Sequence, residues 1–223
     1  MGWIGKPMTS VSDLITGIDP HRPLLLLDAD EVLLRFVETL EQYLVNQGVE
    51  LRLTSFQLSG NIFPLGGDAP VPGEQVRDHI AGFFDTCVDE VPLVDGALEA
   101  LDGLREHYQI AILSNVPSRC RARREASLKA QGLDFPVIAN KGDKGPGAKQ
   151  LADAIRAHTV FVDDLPPQHA SVAAHAPDIH RVHFIGDPRL AALIGKAPDA
   201  HVRFDDWPTL ESHLKDLMQG HPS

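Results

Sequence analysis

Apolar residues in this chain fall into short uninterrupted runs, separated by stretches in which they recur every three or four positions. Runs such as LLLL at 24–27 and AIL at 111–113 do not alternate with polar residues, as expected of strands buried on both faces. The pattern predicts strands over 23–27, 109–113, 135–139, 159–162 and 181–185, and a sixth over 202–204. Helices are expected between them. Residues 96–107 gather Ala97, Leu98, Leu101 and Leu104 on one face; residues 148–158 do the same with Leu151, Ala154 and Ile155. Shorter helices are expected over 168–176 and 210–218. Strand and helix in alternation specify an α/β fold, a Rossmann-like three-layer parallel sheet.

The segment 35–90 breaks the alternation. It opens with an expected helix over 36–47, stopped by Gly48, continues through a Gly/Pro-rich stretch at 60–73 and ends in a second helix over 74–87. It also holds Phe36, Phe56, Phe63, Phe83 and Phe84, five of the nine phenylalanines. The division expected is a core of 1–34 and 91–223, with a small, mostly helical cap at 35–90 inserted after the first strand.

Charge and composition narrow the partners. With 20 Lys+Arg against 31 Asp+Glu the net charge is −11, which repels nucleic acid polymers. No apolar run approaches the roughly 20 residues of a membrane span, so no membrane partner is expected. The first 22 residues, with Pro7, Asp13, Asp19 and Pro20, lack the apolar stretch of a signal peptide, and Lys6 stands where a myristoylation signal has Ser or Thr. Cys87 and Cys120 form no CxxC, which suits a reducing, cytoplasmic location.

The chemistry sits at the strand ends. The first strand runs out in Asp28-Ala-Asp30, the fourth in Asp163-Asp164 and the second in Ser114-Asn115, while Lys144 lies in a Gly-rich loop ahead of a helix. In parallel sheets, ligands bind beyond the carboxyl ends of the strands. Two like charges 4 Å apart repel by about 4 kcal/mol at an effective dielectric near 20, so four carboxylates gathered there require protons or a cation. All-oxygen ligands with room for water and phosphate select magnesium. The stretch 142–149 is not a nucleotide P-loop, because Ala148 and Gln150 flank its lysine.

In this order and spacing the motifs Asp28-x-Asp30, Ser114, Lys144 and Asp163-Asp164 resemble the haloacid dehalogenase-like (HAD) superfamily, over roughly residues 22–34 and 91–190. The resemblance implies a magnesium-dependent phosphatase with a helical cap, acting on a small phosphorylated metabolite through an aspartyl-phosphate. It assigns Asp28 as nucleophile, Asp30 as general acid and base, Ser114 as a phosphoryl hydrogen-bond donor and Lys144 as the active-site lysine in preference to Lys141 or Lys149. Metal ligands would be Asp28, Asp30 through its carbonyl, and Asp164, with Asp163 a ligand or a support; Asn115 and Arg35 would touch substrate. A nucleoside 5′-phosphate and a sugar phosphate are both candidate substrates. Glu31 departs from the family's usual glycine, and Gln168 stands where one subgroup has a further Asp. The rival readings are a phospho-accepting receiver, whose motifs come in a different chain order, and a non-catalytic regulator on the same acidic magnesium site.

Three weaker features carry expectations of their own. The basic cluster Arg119, Arg121, Arg123 and Arg124 reads as a solvated helix face, with a phosphate or leaving-group contact as the alternative, and Cys87 reads as a buried filler. Eight of the eleven histidines lie at or beyond His158 without zinc-ligand spacing. The cap phenylalanines read as the cap's own core, or as a platform for an aromatic leaving group.

Overall fold

All four leucines of the run at 24–27 are fully buried, and they alternate between two cores, as a strand covered on both faces requires. The computed structural model describes residues 10–219. Residues 1–9 and 220–223, assigned above to the core and including Lys6 and Pro7, lie outside the described residues. In chain order the elements are α1 (Val11–Gly17), β1 (Leu24–Leu27), α2 (Phe36–Asn46), β2 (Val49–Leu51), β3 (Ile62–Pro64), α3 (Gly73–Cys87), α4 (Ala97–Leu104), β4 (Gln109–Ser114), α5 (Arg121–Ala130), β5 (Val137–Ala139), α6 (Gly145–Ala154), β6 (Thr159–Asp163), α7 (Pro166–His175), β7 (His180–Phe184), α8 (Pro188–Leu193), β8 (Val202–Phe204) and α9 (Trp207–Gln219). No described helix is long and apolar enough to cross a membrane.

The fold is a three-layer α/β sandwich around a six-stranded parallel sheet of order β5-β4-β1-β6-β7-β8. Leu25 and Leu27 face one layer with Leu101 and Leu104 of α4, Leu128 of α5 and Leu210 and Leu214 of α9. Leu24 and Leu26 face the other with Leu14 of α1, Leu151 of α6 and Val172 of α7. Counting only the six core strands, the order is 3-2-1-4-5-6, the doubly wound arrangement whose direction of winding reverses at the first strand. The crevice at that reversal opens beyond the end of β1.

Segment 35–90 folds as α2, a two-stranded antiparallel β2–β3 hairpin and α3. The hairpin was not anticipated, because strands of three residues are too short to show a period. Phe36, Tyr43, Phe83 and Phe84 form an aromatic cluster inside it, with ring centroids 5.1–5.9 Å apart. Such edge-to-face contacts add to the area they bury.

Other departures have local causes. The helix expected over 148–158 starts instead at Gly145, because Pro146 favours a helix's first turn, and it ends where Ile155 turns extended. Helix α1 was not anticipated; Ser10 caps it by accepting from Asp13 N. Four of the late histidines, His158, His180, His201 and His213, come together at the amino-terminal edge of β7, His180 and His201 stacking 4.9 Å apart. Cys87 is only half-buried, at the end of α3, and Cys120 is the buried thiol.

Helices α6 and α7 approach closely at Gly145, where an added Cβ would lie 2.4 Å from the Ser171 carbonyl oxygen and 2.6 Å from His175 Nδ1. A backbone neighbour cannot step aside cheaply. Gly145→Ala is therefore expected to cost about 1–3 kcal/mol in urea denaturation. A loss below about 0.5 kcal/mol would show that the helix pair has slack there.

Candidate active site

Register brings the strand-end groups to one place. Leu27 pairs with Val162 and with Ile112, so Asp28 follows level with Asp163, and its N–H donates to the Val162 carbonyl at 2.9 Å. Ser114 ends β4 beside them. Lys144 precedes α6 and reaches in from the neighbouring layer, only 1% exposed. Its Nζ lies 2.6 Å from both Asp28 Oδ1 and Asp163 Oδ2. Lys141 is exposed, and Lys149 pairs with Asp153 on the surface. The structure thus brings Lys144, of the three lysines, to the acids.

The two acids of the Asp163-Asp164 pair are used differently. Asp163 Oδ2 takes Lys144 and its Oδ1 accepts from Leu165 N at 2.9 Å, so both oxygens are engaged. The Asp164 carboxylate accepts no hydrogen bond among the described residues. Single oxygens of Asp28, Asp163 and Asp164 all come within 4.8 Å of one another. Burial raises the Asp28 carboxyl to about 6 against the pull of Lys144. Burial, with Asp163, Asp28 and Glu31 around it, lifts Asp164 well above the usual carboxylate range. Around Lys144, burial disfavours the ammonium, but Asp163 and Asp28 outweigh it and hold the proton more tightly than usual.

These donors fit a hard divalent cation. They are all oxygens, one carboxylate has no protein partner, and the cluster carries more negative charge than its lysine neutralises. Asp28 and Asp164 are the residues that would hold it, with Asp163 fixing Lys144 beside it.

Asp30 stands apart from that trio. Its carboxylate forms an ion pair at 2.9 Å with Arg124 of α5, without hydrogen-bond geometry. Arg124 is fully buried, which corrects the reading of the arginine cluster as one solvated face. The others follow ordinary surface chemistry: Arg119 pairs with Asp85 and Arg123 with Asp89 of segment 35–90, and Arg121 with Glu125. Burial raises the Asp30 pKa in spite of Arg124.

Ser114 Oγ accepts from Val116 N at 3.2 Å and is fully buried at the strand end. Asn115 is held by Asn140 and donates to the Gly142 carbonyl. A pocket of about 350 Å³ rises over Asp28, Asp30, Asn115, Lys144 and Asp164, walled by segment 35–90 through Phe36, Phe56 and Phe84 among others. The phenylalanines of this segment thus divide: Phe83 is core, Phe63 stacks under Arg52, Phe36 and Phe56 line the pocket, and Phe84 belongs to the core and lines the pocket too. Arg35 is not brought there. It pairs with Asp95 and Glu38, donates to the Leu93 carbonyl and lines a separate acidic groove with Glu41 and Asp187. Carboxylates on that side draw its guanidinium away.

Solved structures were compared with this architecture. A HAD family hydrolase from Deinococcus radiodurans R1 with bound phosphate and sodium is similar at a TM-score of 0.56 and 18% identity, covering 89% of this chain and 97% of that one. A haloacid dehalogenase-like protein of unknown function from Agrobacterium tumefaciens C58 gives 0.59 at 15% identity, over 87% and 98%. A HAD-superfamily hydrolase of subfamily IA from Geobacter sulfurreducens PCA gives 0.52 at 16%, over 90% and 100%. The chain has the haloacid dehalogenase-like fold. Neither a family model nor a curated protein matches its sequence.

Within this HAD-like frame, several supporting residues escaped sequence reasoning. Gln168 Oε1 accepts from Lys144 N at 2.8 Å and so positions the lysine's backbone. His183 Nδ1 accepts from Ala197 N, which leaves Nε2–H to donate to the Asp164 carbonyl at 2.8 Å. His169 Nε2 lies 2.9 Å from the Asp163 carbonyl. Burial lowers both imidazoles to about 4, keeping them neutral. No spacing rule flags these histidines, since they bind backbone and not metal.

Glu31 is the one non-glycine residue with positive φ among those described, at 60°. Its Oε1 accepts from Val37 N at 2.6 Å, at the start of α2, while Oε2 is buried without a hydrogen bond. Burial raises its pKa to about 7. A folded pKa above the unfolded value makes its contribution to stability largest below about pH 4.5 and progressively lost as pH rises through 7. Glu31→Gln, which retains an acceptor oxygen, should therefore gain stability relative to the parent from pH 5 to pH 8 in chelator. Parallel stability curves would contradict this.

Asp30→Asn leaves the Arg124 guanidinium buried and unpaired, and is expected to cost about 3–5 kcal/mol. Adding Arg124→Met should recover most of that loss in urea denaturation. If the second change recovers nothing, the pair is not what holds α5 to the strand-end loop.

Proposed function

We propose that this protein is a phosphatase of the HAD type, a magnesium-dependent phosphomonoester hydrolase that acts through an aspartyl-phosphate on Asp28. The observation that carries the proposal is Lys144, buried and shared between Asp28 and Asp163 beside the unpartnered carboxylate of Asp164. A structural ion pair needs one acid. Two acids on one lysine with a third alongside build a site for a cation and a phosphoryl group together. The phosphate bound to the similar Deinococcus hydrolase supports the same reading of the fold.

Asp28 attacks phosphorus, and the ester P–O bond breaks as the Asp28–phosphorus bond forms. The departing oxygen takes its proton from Asp30. Burial favours the protonated acid that this step needs, and Arg124 favours the carboxylate it leaves behind. Asp30 then accepts a proton from the water that attacks the aspartyl-phosphate, releasing inorganic phosphate and restoring Asp28. The Ser114 hydroxyl, whose oxygen already accepts from Val116 N, is free to donate to a phosphoryl oxygen. Lys144 holds Asp28 in place and offsets charge on the transferring group. Magnesium, when bound, supplies the positive charge that lets Asp28, Asp164 and a phosphate dianion share one small volume.

The pocket over Asp28, walled by segment 35–90, favours a small phosphorylated substrate over phosphotransfer from a partner protein. The two free thiols suit a cytoplasmic setting.

The purified protein should hydrolyse p-nitrophenyl phosphate with magnesium and lose that activity in chelator. Asp28→Asn should lower kcat on the order of 10³-fold or more while the protein stays folded by circular dichroism. Turnover that persists in chelator or survives Asp28→Asn would overturn the mechanism.

A further inference from the structure

The pocket over Asp28 is polar on one side only. Its hydrogen-bonding side chains, Asp28, Asp30, Glu31, Asn115, Lys144 and Asp164, all come from the strand-end floor. From segment 35–90 come Phe36, Val37, Phe56, Leu58, Ile80 and Phe84, without one polar side chain among them. The core side of the rim adds Leu165, Ile185, Leu190 and Ile194. Arg124 is buried and spent on Asp30, and Arg35 is committed to Asp95 and Glu38 and lines a different groove.

The floor groups are those the phosphoryl transfer requires, so the ten apolar residues are left to surround the leaving group. A hydroxyl or charge buried against them meets no side-chain partner, and an unpaired buried polar group costs roughly a factor of ten in binding. Size points the same way: a cavity volume of about 350 Å³ lies at the small end of the usual range for ligand pockets. We propose that the leaving group is a small apolar alcohol or phenol, so that the substrates are monophosphates of alkyl, cycloalkyl or aryl hydroxyls. Sugar phosphates and nucleotides, both open from the sequence, are then poor substrates, as are bisphosphates, which lack a second cation to meet them. This inference rests on the phosphatase reading above.

A matched pair of substrates tests it. Cyclohexylmethyl phosphate and glucose 6-phosphate each carry a six-membered ring one carbon from a primary ester oxygen, and they differ in ring hydroxyls and ring oxygen. With magnesium, kcat/KM is expected to be at least a hundredfold higher for the apolar ester. Ile80→Ser and Phe56→Asn, on different parts of the wall, should each narrow that ratio at least fivefold, mainly through KM for the apolar ester, with folding checked by thermal melts. A ratio near or below one, with both esters turned over, overturns this inference and leaves the phosphatase reading intact. An unchanged ratio in both folded wall variants overturns it as well. If neither ester nor p-nitrophenyl phosphate is hydrolysed, the phosphatase reading falls and takes this one with it.

Discussion

One buried ammonium organises this molecule. Lys144 arrives from the loop before α6 and ties the end of β1 to the end of β6 by pairing with Asp28 and Asp163 at once. Isolated in a low-dielectric interior, each of those carboxylates would be costly, and so would the lysine. As a triad they hold two adjacent strand ends at fixed separation while keeping excess negative charge at the surface of the crevice. That excess suits a cation site. The backbone support is equally specific: Gln168 fixes Lys144 N, and His169 and His183 address the carbonyls of Asp163 and Asp164.

The sheet order explains why these strands and no others carry the site. With β1 central and winding reversed on either side, the helices that follow β1 and β6 leave to different layers and a crevice opens between them. Asp28, Ser114 and Asp163 are end residues of three neighbouring strands. Each needs only its own strand's register to be right. The site is therefore built on the ends of the central strands, with Asp30, Asp164 and Lys144 on the loops that adjoin them.

This is also why so much was legible beforehand. Strand-end acids announce themselves, because a continuous apolar run closed by Asp-x-Asp or Asp-Asp has little other use, and parallel topology sends such ends to one edge. The apolar run at 110–113 made its strand readable in the same way. What escaped depends on distances that no local pattern encodes. Arg124 looks like its neighbours Arg119, Arg121 and Arg123, yet helical phase turns it alone inward to Asp30. Arg35 had a sensible position for touching substrate, and Asp95, sixty residues away in sequence, takes it instead. The β2–β3 hairpin is shorter than any period can reveal. His169 and His183 serve backbone carbonyls, a task that leaves no signature in spacing.

Glu31 connects the chemistry of the floor to the apolar wall. At its left-handed backbone position glycine would be least strained, yet a glutamate stands there and accepts from Val37 N, while its own N–H donates to Leu34 O. Its carbonyl accepts from Gly186 N beyond β7, at a spot where any Cβ on residue 186 would collide with it. Next to it, Val32 O accepts from the indole of Trp207 at the start of α9. The link from Asp30 to Phe36 is thus pinned at both ends and to two core elements. Asp30, the acid of the proposed mechanism, and Phe36 and Val37, which line the pocket above it, are carried by one short stretch of fixed chain. A glycine at position 31 would ease the turn and lose the side-chain tie. The strain of a glutamate there accompanies a side-chain tie that holds Asp30 and the apolar wall in one frame.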